Sequence, residues 1–126
     1  MTYKEVNTMI SGIGLDYAYD HFTDDTAHEL PFICFFFSSS NDLAADNSNY
    51  QPIRELNVEL YTDNKDFGLE ATVESALNTN GLVYTREESW IDSEQMYMVR
   101  YSTEIIITEE IENGEITEEI ENGEQG

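Results

Sequence analysis

Hydrophobic and polar positions along the chain follow two periodicities, and their order predicts the architecture. Tyr3, Val6, Met9, Ile10 and Ile13 recur at steps of three and four, the spacing of one buried helix face. Gly12 and Gly14 follow and supply the backbone freedom with which a helix ends. Tyr17 to Phe22 alternates as a short strand, and residues 23–29 read as a polar loop. Pro31 to Phe37 is an unbroken apolar run bounded by Pro31 and Ser38-Ser-Ser40, which suits a strand covered on both faces. Residues 38–52 form a polar loop rich in Asn, Asp and Ser; a loop that long inside a small domain is uncommon and often functional.

From Ile53 to Tyr61 strict alternation returns. Leu56, Val58 and Leu60 share one face of a strand, and Glu55, Asn57 and Glu59 share the other. Thr62-Asp63-Asn64 offers helix N-cap chemistry, Leu69, Val73, Ala76 and Leu77 make the buried stripe, and Asn80-Gly81 closes the helix. Val83 to Ile91 and Met96 to Thr108 read as two strands joined by a turn at 92–95. In the second of these, Tyr97, Val99, Tyr101, Thr103, Ile105 and Ile107 share a face, which places Tyr97 and Tyr101 in the core. The order α-β-β-β-α-β-β predicts an α+β domain over residues 1–108, with a mainly antiparallel sheet of four to five strands and two helices on one side.

Residues 109–126 differ in kind. ITEEIENGE at 107–115 is repeated at 116–124, and two copies are too few for a solenoid. The segment reads as an acidic extension with too few apolar groups to offset its own ordering entropy. It holds eight Glu and no Lys or Arg, within a chain whose net charge is −22. The body keeps all five Lys and Arg and remains strongly acidic. Such a chain repels phosphates and anionic membranes, and no basic patch interleaved with aromatics marks a nucleic-acid site. Cys34 stands alone, so no disulfide framework is expected, and its place in the apolar run predicts a buried, unreactive thiol. The first residues lack the pattern of a signal peptide, and the apolar run from Leu30 to Phe37 is far below the roughly 20 residues that span a bilayer. A soluble, intracellularly made protein is expected.

Catalytic chemistry is not signalled. Phosphate-loop, nucleophile-elbow, zinc-protease and paired-cysteine motifs are missing, and Gly12-Ile-Gly14 lacks the third glycine and the preceding strand of a dinucleotide fingerprint. His21 and His28, with Asp20, Asp24 and Asp25 nearby, sit in a polar loop without a helix to converge them. Asp42 with Asp46, and Glu87 with Glu88, lack the spacing of a calcium loop. Neither an enzyme, a cofactor nor a metal is expected.

Spread through the body are Leu30-Pro-Phe, Ala45-Asp-Asn47, Tyr50, Glu59-Leu-Tyr-Thr62, Lys65, Glu70, Glu74 and Glu94-Gln-Met-Tyr97. Over residues 3–104 this pattern resembles a family of small proteins from the structural gene block of long-tailed phages and prophages of Gram-positive bacteria. The resemblance implies a tail terminator or tail completion protein of the virion neck. Such a protein caps the finished tail tube as a homo-hexameric ring and joins it to the head. Its partners would be copies of itself, the tail tube protein and a head-completion or connector protein, with DNA passing through an acidic channel without being held. The nine-residue repeat departs from the family pattern. Another neck layer, an adaptor or head-completion protein, is the nearest alternative; an acidic DNA mimic is a more distant one. In the long loop, Ser39, Asn41, Asp42, Leu43, Asp46, Asn49 and Tyr50 are the candidates for subunit contact.

Overall fold

The computed structural model describes residues 1–22, 29–40 and 53–108, with two short backbone stretches at 111–112 and 115–116. Helix α1 spans Tyr3–Ser11. Its start is a capping box: the Thr2 hydroxyl accepts from the Glu5 amide, and the Glu5 carboxylate accepts from the Thr2 amide. Two otherwise orphaned donors are thereby satisfied, and the bonds to Thr2 lower the Glu5 pKa. Val6, Met9 and Ile10 carry the buried stripe. The helix stops at Gly12, and Gly14 takes the left-handed conformation, φ +92°, that a side chain would strain.

Five strands form one sheet in the order β1-β2-β3-β5-β4: β1 Asp16–Tyr19, β2 Phe32–Ser40, β3 Ile53–Thr62, β4 Thr85–Ile91 and β5 Met96–Ile106. The β2–β3, β3–β5 and β4–β5 pairings are antiparallel, as the alternation predicts, but β1 runs parallel to β2 and the sheet is mixed. A parallel neighbour needs a connection long enough to return to the starting end, and residues 20–31 provide it. Strand β1 is also shorter than expected. It ends at Tyr19, and Asp20, with a φ of +65°, turns the backbone out of the sheet.

Helix α2, Phe67–Thr79, connects β3 to β4. Its cap is Asp66, which accepts from the Leu69 amide at 3.0 Å, not the Thr62-Asp63-Asn64 triplet. Thr62 is still in β3, buried and paired with Tyr97. At the far end Asn80 is the cap. The Gly81 amide bonds Asn78 O and the Leu82 amide bonds Leu77 O, both at 3.0 Å, with Gly81 at φ +71°. This is the Schellman arrangement, in which glycine accepts a conformation other residues resist. Chain 81–84 then passes β5 before β4 begins. The start of β4 is later than Val83 because Val83 O accepts the Thr103 hydroxyl at 2.6 Å.

Side-chain alternation assigns the two sheet faces. Tyr17, Ile33, Phe35, Leu56, Val58, Leu60, Val99, Tyr101 and Ile105 meet Val6, Met9 and Ile10 of α1 and Val73 and Leu77 of α2 in one apolar core. Both helices therefore cover the same face. Tyr101 is fully buried as expected, whereas Tyr97 is half-buried and packs edge-on to Trp90 at 4.8 Å. Past β5, Met1 bonds Ile106 O and Thr108 N, closing the N-terminus onto the last strand. Backbone at Ile111–Glu112 and Glu115–Ile116 pairs as a two-stranded antiparallel ladder within the acidic extension.

Candidate assembly surfaces

Charged side chains in this fold are used first to hold its layers together. Glu70 projects from α2 toward the sheet and is buried. It receives Lys65 at 2.7 Å and the Arg86 guanidinium from β4. Glu88 bonds Lys65 and lies 3.5 Å from Arg86, while Glu74 lies 3.8 Å from Arg86 and accepts the Tyr101 hydroxyl at 2.7 Å. The bond to Glu70 holds the Arg86 guanidinium more firmly charged than usual, and the bond to Lys65 lowers the Glu88 pKa. Burial, followed by the bond to Glu74, raises the Tyr101 pKa. The cluster pins α2 to β4 and β5. The outward side of α2, with Ala71, Thr72, Ser75, Asn78 and Thr79, is left uncharged.

On the sheet face opposite the helices, the registers set three rows: Phe32, Tyr61 and Met98; Cys34, Glu59 and Arg100; Phe36, Asn57 and Ser102. Phe32 stacks on Tyr61 at 5.0 Å. Arg100 donates twice to Glu59, at 2.6 and 2.8 Å, and Tyr61 donates to the same carboxylate at 2.8 Å. Asn57 donates to Ser38 and accepts from Ser102, each at 2.8 Å. Alternation in β3 predicts a solvent face here, yet Asn57 and Glu59 are 3% and 6% exposed. Bulky neighbours on β2 and β5 shield them, and each polar group finds a partner, which is what burial of such groups requires.

Cys34 lies beside Glu59 in this face and is buried. Burial, with the negative charges of Glu59 and Asp20, pushes its thiol up to about 12, so it stays protonated at neutral pH. His21 is exposed and pairs with the adjacent Asp20 at 2.9 Å. His28 lies outside the described residues. Among the described residues no group of three or more His, Cys, Asp or Glu is arranged to hold a metal ion, and no helix is long and apolar enough to cross a membrane.

Of the seven contact candidates in the long loop, Ser39 contributes backbone to β2; Asn41, Asp42, Leu43, Asp46, Asn49 and Tyr50 lie outside the described residues. The surfaces the structure does present are elsewhere. Phe67 at the start of α2, Val83 before β4 and Trp90 within β4 are exposed. A groove of about 510 Å3 runs between the helices past Met9, Ile13 and Ala76. Strand β4 forms one edge of the sheet, and Thr85 through Trp90 are exposed along it. An edge is a property of topology, so no local spacing marks it; the exposed Trp90 is its one trace in the sequence.

These features define a two-layer α+β domain, two helices on one face of a mixed five-stranded sheet. A chain from the virion of a native gene transfer agent particle has a similar fold, with a TM-score of 0.50 at 10% sequence identity, over 79% of this chain and 83% of that one. No protein-family model and no curated protein matches the sequence.

Proposed function

We propose that this chain is a structural subunit of a phage-like virion and acts as its tail terminator, a ring of copies that caps the tail tube and meets the head. The observation that carries the reading is the fold shared with a gene transfer agent virion chain across about four-fifths of both molecules. Resemblance of residues 3–104 to the phage neck proteins, on independent grounds, supports the particular position in the virion.

The chemistry of the molecule supports a role in assembly without catalysis. Among the described residues the buried carboxylates are committed to cations, Glu70 to Lys65 and Arg86 and Glu59 to Arg100, and buried Tyr101 donates to Glu74. The one thiol is kept protonated. Net charge of −22 suits the wall of a DNA conduit, because an anionic lining repels phosphates, whereas a basic groove binds them by releasing counterions.

Two measurements test the proposal together. Mass photometry of the purified chain with its cognate tail tube protein is expected to give closed rings seated on tube ends; monomers that never bind an end would overturn it. Electron micrographs of particles made without the chain are expected to show overlong or headless tails. Tails of normal length on intact heads would exclude the terminator position.

A further inference from the structure

The two edges of the sheet are protected unequally. Strand β1 is four residues long and is stopped by the left-handed Asp20, a short edge of the kind that resists pairing. Strand β4 runs seven residues in unbroken register with β5, without a bulge or a proline, and its outer backbone has no strand partner among the described residues. A lysine or arginine projecting over an edge is a common guard. Here Arg86, the one cation in β4, is folded back onto Glu70. Trp90, the sole tryptophan of the chain, stands 44% exposed at the far end of the same edge.

The charge along this edge selects what can sit on it. Glu88 is held by Lys65 and Arg86. Glu87 is exposed, and the cation opposite it, Arg100, is already bonded to Glu59. A groove of about 500 Å3 opens where β4 begins, with Glu55 and Glu104 on its walls. A second copy of this chain is poorly suited to neutralise that edge. Lys65, Arg86 and Arg100 are engaged by their own carboxylates, Arg54 lies 3.5 Å from the Tyr3 hydroxyl, and Lys4 sits on α1.

We infer that the outer edge of β4 accepts an extended strand from a different, basic protein, with Lys or Arg facing Glu87 and an apolar residue facing Trp90. Backbone hydrogen bonds supply the attachment, and the alternating side chains supply the choice of partner. Glu87 and Trp90 are three residues apart, so the incoming strand carries its basic and apolar residues three apart, in either direction. The inference stands whether or not the chain forms a terminator ring.

Trp90 fluorescence of the full chain reads the edge directly. The probe is the heptapeptide Leu-Thr-Val-Lys-Val-Thr-Leu, which places leucine three positions from lysine both ways; its control replaces lysine with glutamate. Cross-strand charge pairs are modest, so the lysine peptide is expected to blue-shift Trp90 at about threefold to tenfold lower concentration than the control. Glu87→Lys is expected to reverse the preference while leaving the circular dichroism spectrum unchanged. The inference is overturned by no response to either peptide up to millimolar concentration, or by a preference that survives Glu87→Lys. A blue shift that grows with protein concentration alone, accompanied by dimers in sedimentation, would assign the edge to a second copy and overturn it equally. Mass photometry of the same samples reads ring formation separately, so failure at the edge and failure of the ring are distinguishable.

Discussion

The two faces of β3 are both buried, but by different chemistry. Leu56, Val58 and Leu60 lie under the helices at 0–1% exposure and need only apolar neighbours of the right shape. Asn57 and Glu59, one position over, are nearly as hidden on a face without a helix. Their burial depends on specific partners: Ser38 and Ser102 for Asn57, Arg100 and Tyr61 for Glu59. Apolar burial is the larger and more tolerant source of stability. Polar burial fixes register, since a slip of one residue would separate every one of these pairs. The helix side thus supplies most of the folding energy, and the other side specifies which strands meet.

The comparison is broken most severely from the helix side. Phe35 is fully buried and packs edge-on against Tyr19 at 5.4 Å. Phe35→Ala is expected to cost about 3–5 kcal/mol in urea denaturation, enough to unfold much of a marginally stable domain. A loss below about 1 kcal/mol would mean that the core is elsewhere.

On the opposite face the pair Glu59–Arg100 is unequal, and its two halves should behave differently. The Glu59 side chain is 7% exposed and the Arg100 side chain 35%. Arg100→Met strands a buried carboxylate and is expected to cost about 3 kcal/mol. Glu59→Gln leaves a guanidinium that can still reach water, and is expected to cost about 1–2 kcal/mol. The double variant should cost less than the sum, because it removes both charges at once. Equal single costs, or strict additivity, would show that the pair is wet and contributes little.

Smaller again is Asn57→Ala, at about 0.5–1.5 kcal/mol, since it leaves Ser102 and Ser38 with access to other acceptors and donors. Its sharper readout is register. Amide exchange across β2–β3 is expected to rise more than across β4–β5, where no bond to Asn57 is made.

How much of this was legible in the sequence follows the same division. Apolar periodicity is a local signal, and it located α1, β3, the core of α2 and the inward face of β5 from Val99 to Ile105. Pairing is not local. Cys34, Glu59 and Arg100 share a row across three strands, and Lys65, Glu70, Glu74, Arg86 and Glu88 converge from one strand, a loop and a helix. Nothing in their spacing announces either group. The parallel placement of β1 escaped for the same reason, because alternation sets a strand's faces and not its direction. The cap of α2 was displaced because three cap-competent residues stand close together, and the pairing of Thr62 with Tyr97 kept the first of them in the sheet. Surface function was least legible. The loop that drew attention by length lies largely outside the described residues, while the β4 edge is visible only once the strand order is known.

At neutral pH the smallest expected effect concerns Cys34, where it vanishes. Its thiol belongs to the polar face yet is held by the logic of the apolar one: burial, then the charges of Glu59 and Asp20, raise it from 9.0 to about 12. Below pH 9 the thiol is protonated whether the chain is folded or not, so it adds no pH dependence. Between pH 9 and about 12 the unfolded chain releases the proton while the folded chain retains it. The unfolded state then binds fewer protons, and stability falls as pH rises through that window. Half-buried Tyr61 and buried Tyr101, both raised above 10, lose stability in the same direction, so the wild-type slope is shared. Cys34→Ala removes one titrating group and is expected to flatten the fall in urea midpoint between pH 9 and 11, with any constant offset from the lost sulfur subtracted. An unchanged slope would mean that the thiol ionises as freely in the fold as out of it, and that the Cys34–Glu59–Arg100 row is open to water.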